Sequence, residues 1–164
     1  MQQAAYPGAA TSTVTFGDRV SAFMALPEKG VAPFGAVILG HEKYGLVQHT
    51  LDLTAKFAAC GYVGLAPDLF SRWDGDKEAL NWGDITVPLS DDDIVSYMGE
   101  SLDFLLDHPM VDPHRIAAMG VCQSGAYPLL LNSVRTEVSA NIVVYGGAQD
   151  REWELNETRS EPYE

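Results

Sequence analysis

No histidine follows residue 114: all four, His41, His49, His108 and His114, lie earlier in the chain. Cysteine is scarce. Cys60 and Cys122 are the only two, too few for a disulfide framework and in keeping with a reducing, cytoplasmic setting. Basic residues are outnumbered, 10 Lys and Arg against 23 Asp and Glu, for a formal net charge of −13. That balance argues against nucleic acid or an anionic membrane as partner. No apolar run is long enough to span a bilayer. The opening stretch, Met1-Gln2-Gln3-Ala4-Ala5-Tyr6-Pro7-Gly8, has neither the basic nor the apolar region of a signal peptide. The expectation is one soluble domain of 164 residues, 46% of them hydrophobic, enough to build a core.

The acidic excess is concentrated. Between Trp73 and Met110 there are ten acids and one base, Lys77, a balance of −9. Such a run reads as a solvated helix face with polar loops. It also reads as an acidic rim that disfavours anionic substrates.

Hydrophobic patterning predicts the elements. Alternating residues 13–16 and 19–26 flank Gly17-Asp18, a hairpin signal. Phe34 to Gly40 and Tyr62 to Ala66 are short continuous apolar runs, as expected of strands buried on both faces. Residues 46–60 have helical spacing, with Leu51, Leu53, Phe57 and Ala58 as inward residues. Residues 71–89 form an irregular excursion. Residues 91–108 form a helix whose three leading aspartates suit the positive end of its dipole. Residues 115–119 and 140–145 read as further strands, and 123–134 as a helix. Strands alternating with helices indicate an α/β domain with a mostly parallel sheet and an antiparallel N-terminal hairpin. Residues 1–12 form an N-terminal extension, 13–147 the core and 148–164 a polar acidic tail.

Gly120-Val121-Cys122-Gln123-Ser124 has the form of a sharp strand-to-helix elbow, with small residues two before and two after a nucleophile. A free cysteine is most often a small core hydrophobe, but this spacing, after a strand and before a helix, marks Cys122 as the nucleophile position. A thiol at a helix N-terminus faces free amides and the positive dipole end, which favour the thiolate. The Gln123 amide then points where an oxyanion would develop. Ser124 is a weaker rival, because its own frame lacks both glycines. His41-Glu42-Lys43-Tyr44-Gly45 directly follows the strand ending at Gly40, so in a parallel sheet it can meet the elbow. An amide there, that of Lys43, completes a two-donor oxyanion hole, and Glu42 can reach the thiol. Alternatively Glu42 pairs with Lys43 or caps the next helix. His41 and His49 read as loop or helix-surface residues, with His41 as general base the minor alternative.

These residues carry a resemblance. His41-Glu42-Lys43-Tyr44-Gly45, Gly61-Tyr62-Val63 through Pro67-Asp68-Leu69-Phe70, Val111-Asp112-Pro113-His114-Arg115-Ile116 and Gly120-Val121-Cys122-Gln123-Ser124-Gly125 fall in the order and spacing of the dienelactone hydrolase family. Tyr145-Gly146-Gly147 resembles its next strand end. The resemblance implies an α/β-hydrolase-like three-layer sandwich and hydrolysis of carboxylic esters or lactones by a Cys-His-Asp triad, without metal or organic cofactor. It matches Cys122 to the nucleophile, Glu42 to the carboxylate that contacts the resting thiol, and Lys43 and Gln123 to the oxyanion-hole amides. Tyr44 and Arg72 are candidates for the substrate pocket.

The family's triad Asp and His both follow the nucleophile. Here Asp150 is the only aspartate after Cys122, and no histidine follows it. The expectation is therefore an incomplete hydrolase domain lacking its C-terminal strands, with acid and base supplied by a segment after residue 164 or a second polypeptide. The strand at 141–145 would then have an open apolar edge, covered by that polypeptide or by a second copy in a homodimer. Without arginines in the 73–110 stretch, the expected substrate is a small neutral ester or lactone. The rival expectation is a catalytically inactive binding or interaction module on the same fold.

Overall fold

The computed structural model describes residues 6–146. Six strands form one sheet: β1 (Ala9–Phe16), β2 (Val20–Pro27), β3 (Phe34–Gly40), β4 (Val63–Pro67), β5 (Val111–Val121) and β6 (Val138–Val144), in the order β1-β2-β4-β3-β5-β6. β1 pairs antiparallel with β2, and β2 with β4, whereas β4, β3, β5 and β6 run parallel. The hairpin turns at Gly17-Asp18-Arg19 as its sequence predicts. β1 starts at Ala9, four residues ahead of the predicted alternation at Thr13, because Ala9 through Ser12 continue the ladder against Met24 to Pro27. The predicted acidic tail and Gly147 lie outside the described residues.

Four helices cover the two faces: α1 (Gln48–Ala59) on one, α3 (Asp91–Leu106) and α4 (Tyr127–Val134) on the other, with the short α2 (Lys77–Trp82) inside the 71–89 excursion. Strand alternation divides the core accordingly. Ala36 and Ile38 of β3 join Met98, Leu102 and Leu131. Val37 and Leu39 face the α1 side with Ala55 and Ala58. The three-layer α/β sandwich is therefore observed.

The buried face of α1 differs from expectation. Thr50, Thr54, Ala55 and Ala58 are buried, while Leu51, Leu53 and Phe57 are only half-buried. The cause is backbone proximity: a Cβ on Gly64 would lie 2.6 Å from the Thr54 carbonyl oxygen. A helix so close to β4 admits small and β-hydroxyl residues, and the Thr54 hydroxyl is satisfied by donating to the Thr50 carbonyl at 2.7 Å.

Much of the acidic run is absorbed by structure. Asp76 caps α2, accepting from the Glu78 and Ala79 amides. Ser90 and Asp93 form a capping box at the start of α3. Glu100 and Asp103 pair with Arg72 and Arg135. No helix among the described residues is long and apolar enough to cross a membrane.

Candidate active site

β5 ends at Val121 and the chain turns through one 3-10 turn, Cys122–Ser124, before α4 begins. Cys122 sits at φ +57°, in the left-handed region. Non-glycine residues enter that region at a cost, and strain of this kind gathers at functional turns. The turn is held from below. The buried Ser124 hydroxyl accepts from the Val121 amide at 2.9 Å and donates to the Val121 carbonyl at 3.1 Å. A Cβ on Gly120 would meet the Ser124 carbonyl oxygen at 1.9 Å, and one on Gly40 would meet the Ser124 hydroxyl oxygen at 2.7 Å. Position 124 therefore serves the elbow as a latch, and its hydroxyl is occupied there.

Gly40 and Gly120 are register partners across β3 and β5, so the 41–45 loop and the elbow leave the sheet side by side. Glu42 lies in this corner. One carboxylate oxygen accepts a short hydrogen bond from the Tyr145 hydroxyl, and the other lies 3.5 Å from Nδ1 of the exposed His49. Tyr145 follows β6 at φ +38°. Its phenol is pushed up to about 12, first by the bond to Glu42, then by lost hydration, with smaller contributions from the charge of Glu42 and from the neighbouring Cys122 and Tyr44. It therefore stays a proton donor to the carboxylate at neutral pH. In the sequence Tyr145 stands out only as part of a strand end. A tyrosine before a glycine at such an end is the available signal, but the left-handed backbone that turns it onto Glu42 is not legible there.

Tyr44 packs under the C-cap of α2, where a Cβ on Gly83 would come within 2.6 Å of its ring. The Lys43 ammonium lies 5.2 Å from the Tyr44 ring centre. The Gln123 side-chain amide donates to the Val87 carbonyl at 2.8 Å, while its Oε1 is buried without a hydrogen-bond partner among the described residues. Thus the excursion between β4 and α3 is tied to the elbow by Gln123 and to the 41–45 loop by Tyr44. Arg72 is held elsewhere. Its guanidinium donates to the Asp18 carbonyl, the Ser96 hydroxyl and the Glu100 carboxylate, and packs over the Tyr97 ring.

His41 lies in the loop after β3, as expected, but it is buried there, being only 2% exposed. Nδ1 lies 2.6 Å from the Glu42 carbonyl oxygen, and Nε2 lies 3.0 Å from the Leu69 amide nitrogen, which must donate. Those partners assign the proton to Nδ1 and leave neither nitrogen free to act as base for Cys122. Burial holds the ring well below the ordinary histidine value, against opposing contributions from the Glu42 carbonyl and Asp68. His108 is lowered by burial too. An unfolded chain takes up these protons near pH 6.5, whereas the folded chain takes them up only at lower pH. Stability is therefore expected to be full above about pH 6.5 and to fall as pH drops below it, by up to about 1.4 kcal/mol per pH unit for the buried His41, with His108, nearer solvent, adding a smaller loss of the same sign. Urea midpoints between pH 7.5 and 5 measure this, and a flat profile there contradicts it.

A mostly parallel sheet between two helix layers, with a residue at positive φ on the turn from β5 to α4, is an α/β-hydrolase-like arrangement. Residues 20–163 match the profile of the dienelactone hydrolase family. The chain belongs to that family. Relatives named "Putative carboxymethylenebutenolidase" include one from Escherichia coli K12, 29% identical over 144 residues covering 83% of this chain and 51% of the relative. Another, from Methylorubrum extorquens, is 26% identical over 132 residues covering 77% and 45%. The chain spans about half the length of the curated relatives it matches. Among solved structures it resembles a dienelactone hydrolase-like promiscuous phosphotriesterase from metagenomic libraries, with TM-score 0.71, 24% identity and coverage of 85% of this chain and 60% of the other. It also resembles acetyl xylan esterase 1 from a Thermoanaerobacterium species, with TM-score 0.62, 15% identity and coverage of 92% and 51%. At these identities the structural likeness speaks to the fold alone.

Proposed function

We propose that this chain carries the nucleophile half of a hydrolase for small neutral carboxylic esters or lactones. The observation that carries the reading is Cys122 in its left-handed turn at the end of β5, beside the Glu42–Tyr145 pair. The Cys122 sulfur attacks the ester carbonyl carbon, the Gln123 and Lys43 amides hold the oxyanion, and the alcohol leaves as a thioester forms. Glu42 is the carboxylate that contacts the resting thiol. Water then cleaves the thioester, returning the thiol and releasing the acid. The Asp and His that activate thiol and water come from a complementary segment, following residue 164 or on a second chain. Two features support this: relatives about twice as long, and a buried His41 with both nitrogens engaged.

The outer edge of β6, where Ile142 and Val143 are exposed by 38% and 39%, suits such a segment; two copies pairing there would be the alternative. A neutral substrate fits an Arg72 committed to Asp18, Ser96 and Glu100. Two unpaired thiols fit the cytoplasm.

The test is capture of the acyl group. With p-nitrophenyl acetate, peptide mass spectrometry is expected to find the acetyl thioester on Cys122 well before Cys60, although Cys60 is the more exposed thiol. Equal or faster labelling of Cys60 would remove the case for Cys122 and favour a binding module without chemistry.

A further inference from the structure

We infer that His41 is a positioning residue that aims the Lys43 amide at the elbow, which rests on the reading of Lys43 as an oxyanion donor. The carbonyl of Glu42 and the N–H of Lys43 belong to the same amide plane. The only cis bond among the described residues is Ala32-Pro33, so the Glu42–Lys43 peptide is trans and its C=O and N–H point in opposite directions. Whatever fixes the carbonyl fixes the amide.

The carbonyl is fixed by His41. The ring donates from Nδ1 to the Glu42 oxygen at 2.6 Å, and the Gly45 amide approaches the same oxygen at 3.3 Å. The ring is anchored in turn, because Nε2 accepts from the Leu69 amide at 3.0 Å and the face lies 4.9 Å, centre to centre, from Phe70. Leu69 and Phe70 follow β4. In the sheet, β4 and β5 flank β3 on opposite sides. The imidazole therefore draws the Glu42 carbonyl toward the β4 side, and the trans geometry turns the Lys43 N–H toward the β5 side, where Cys122 stands. The Gly45 turn bond alone, at 3.3 Å, would hold this peptide loosely, since loop amides have no ladder beside them. A buried ring bridging two loops removes that freedom, as preorganised oxyanion donors require.

The two nitrogens can be separated by substitution. His41→Asn keeps a donor near the Nδ1 position and loses the acceptor for Leu69. His41→Gln places an acceptor near Nε2 and loses the donor to Glu42. The residual dipolar coupling of the Lys43 N–H, scaled to core amides of β3, reads its direction without reference to catalysis. The kcat and KM for p-nitrophenyl acetate are measured on the protein assembled with its complementary segment, with Cys122→Ala alongside. The expected result is that His41→Gln shifts the coupling and lowers kcat ten- to hundredfold at similar KM. His41→Asn is expected to keep the wild-type coupling and most of kcat while losing thermal stability.

Unchanged coupling in both variants overturns the inference, whatever the activity. A shifted coupling with unchanged kcat, where Cys122→Ala is inactive, overturns it as well, because the Lys43 amide would then not be the donor. Full activity in Cys122→Ala is a different failure. It removes the proposed nucleophile, and the dipolar coupling alone then decides whether His41 sets the peptide plane.

Discussion

Cys122→Ala is expected to abolish ester hydrolysis by the assembled protein, lowering kcat/KM by at least about 10³-fold. The substitution removes only the sulfur. Alanine has the same Cβ, so the left-handed backbone at φ +57° and the Ser124 latch beneath it meet no new clash. The unfolding midpoint should stay close to wild type, separating lost chemistry from lost fold. Cys122→Ser retains the shape and offers a hydroxyl, but serine needs a stronger base to ionise, so it too should be inactive against esters. Full turnover in Cys122→Ala, measured with p-nitrophenyl acetate, would sink the assignment.

The largest expected effect on stability is at Gly120. A methyl group there would lie 1.9 Å from the Ser124 carbonyl oxygen, 2.6 Å from its carbon and 2.9 Å from Cδ of Pro128. Two of those atoms are backbone, and the third belongs to a ring fixed in the first turn of α4. None can rotate away, so β5 and α4 must separate. Gly120→Ala should lower stability by about 3 kcal/mol, roughly 6–12 °C in Tm for a domain of this size. Gly61→Ala is the useful comparison. Gly61 has φ +90°, but a Cβ there would meet no atom within 4 Å, so only backbone strain of about 1 kcal/mol is expected. Equal losses in the two variants, from urea denaturation with matched m-values, would show that the elbow tolerates expansion.

Both predictions rest on features legible in the sequence. The elbow could be read because its requirement is local: small residues at fixed offsets from Cys122, between an apolar run and a helix. The hairpin was legible from its alternation about Gly17-Asp18, and β3 and β4 because strands buried on both faces write continuous apolar runs. Features that depend on distant chain segments were not. His41 is a loop residue, as read, but its burial shows only when the 68–70 turn returns over it and donates a backbone N–H. The inward face of α1 looks like Leu51, Leu53 and Phe57 until the missing side chain of Gly64 lets the helix settle onto Thr54. Arg72 looks available until Asp18, Ser96 and Glu100, from two other elements, converge on its guanidinium. Tyr145 becomes visible as a partner for Glu42 only when the chain after β6 is seen in its left-handed turn.

One contact joins these pieces. A Cβ on Gly125 would lie 2.1 Å from the Gly146 Cα, and one on Gly146 would lie 2.2 Å from the Gly125 Cα. Main chain rests on main chain there, with no side chain between to act as a cushion. Gly125 belongs to the turn that carries Cys122, and Gly146 adjoins Tyr145, whose hydroxyl holds Glu42. The turn that carries Cys122 therefore abuts the backbone beside Tyr145, whose hydroxyl bonds Glu42. Neither glycine can take a side chain without moving the other strand of backbone, so the spacing of the two sides of the corner is set by main chain alone.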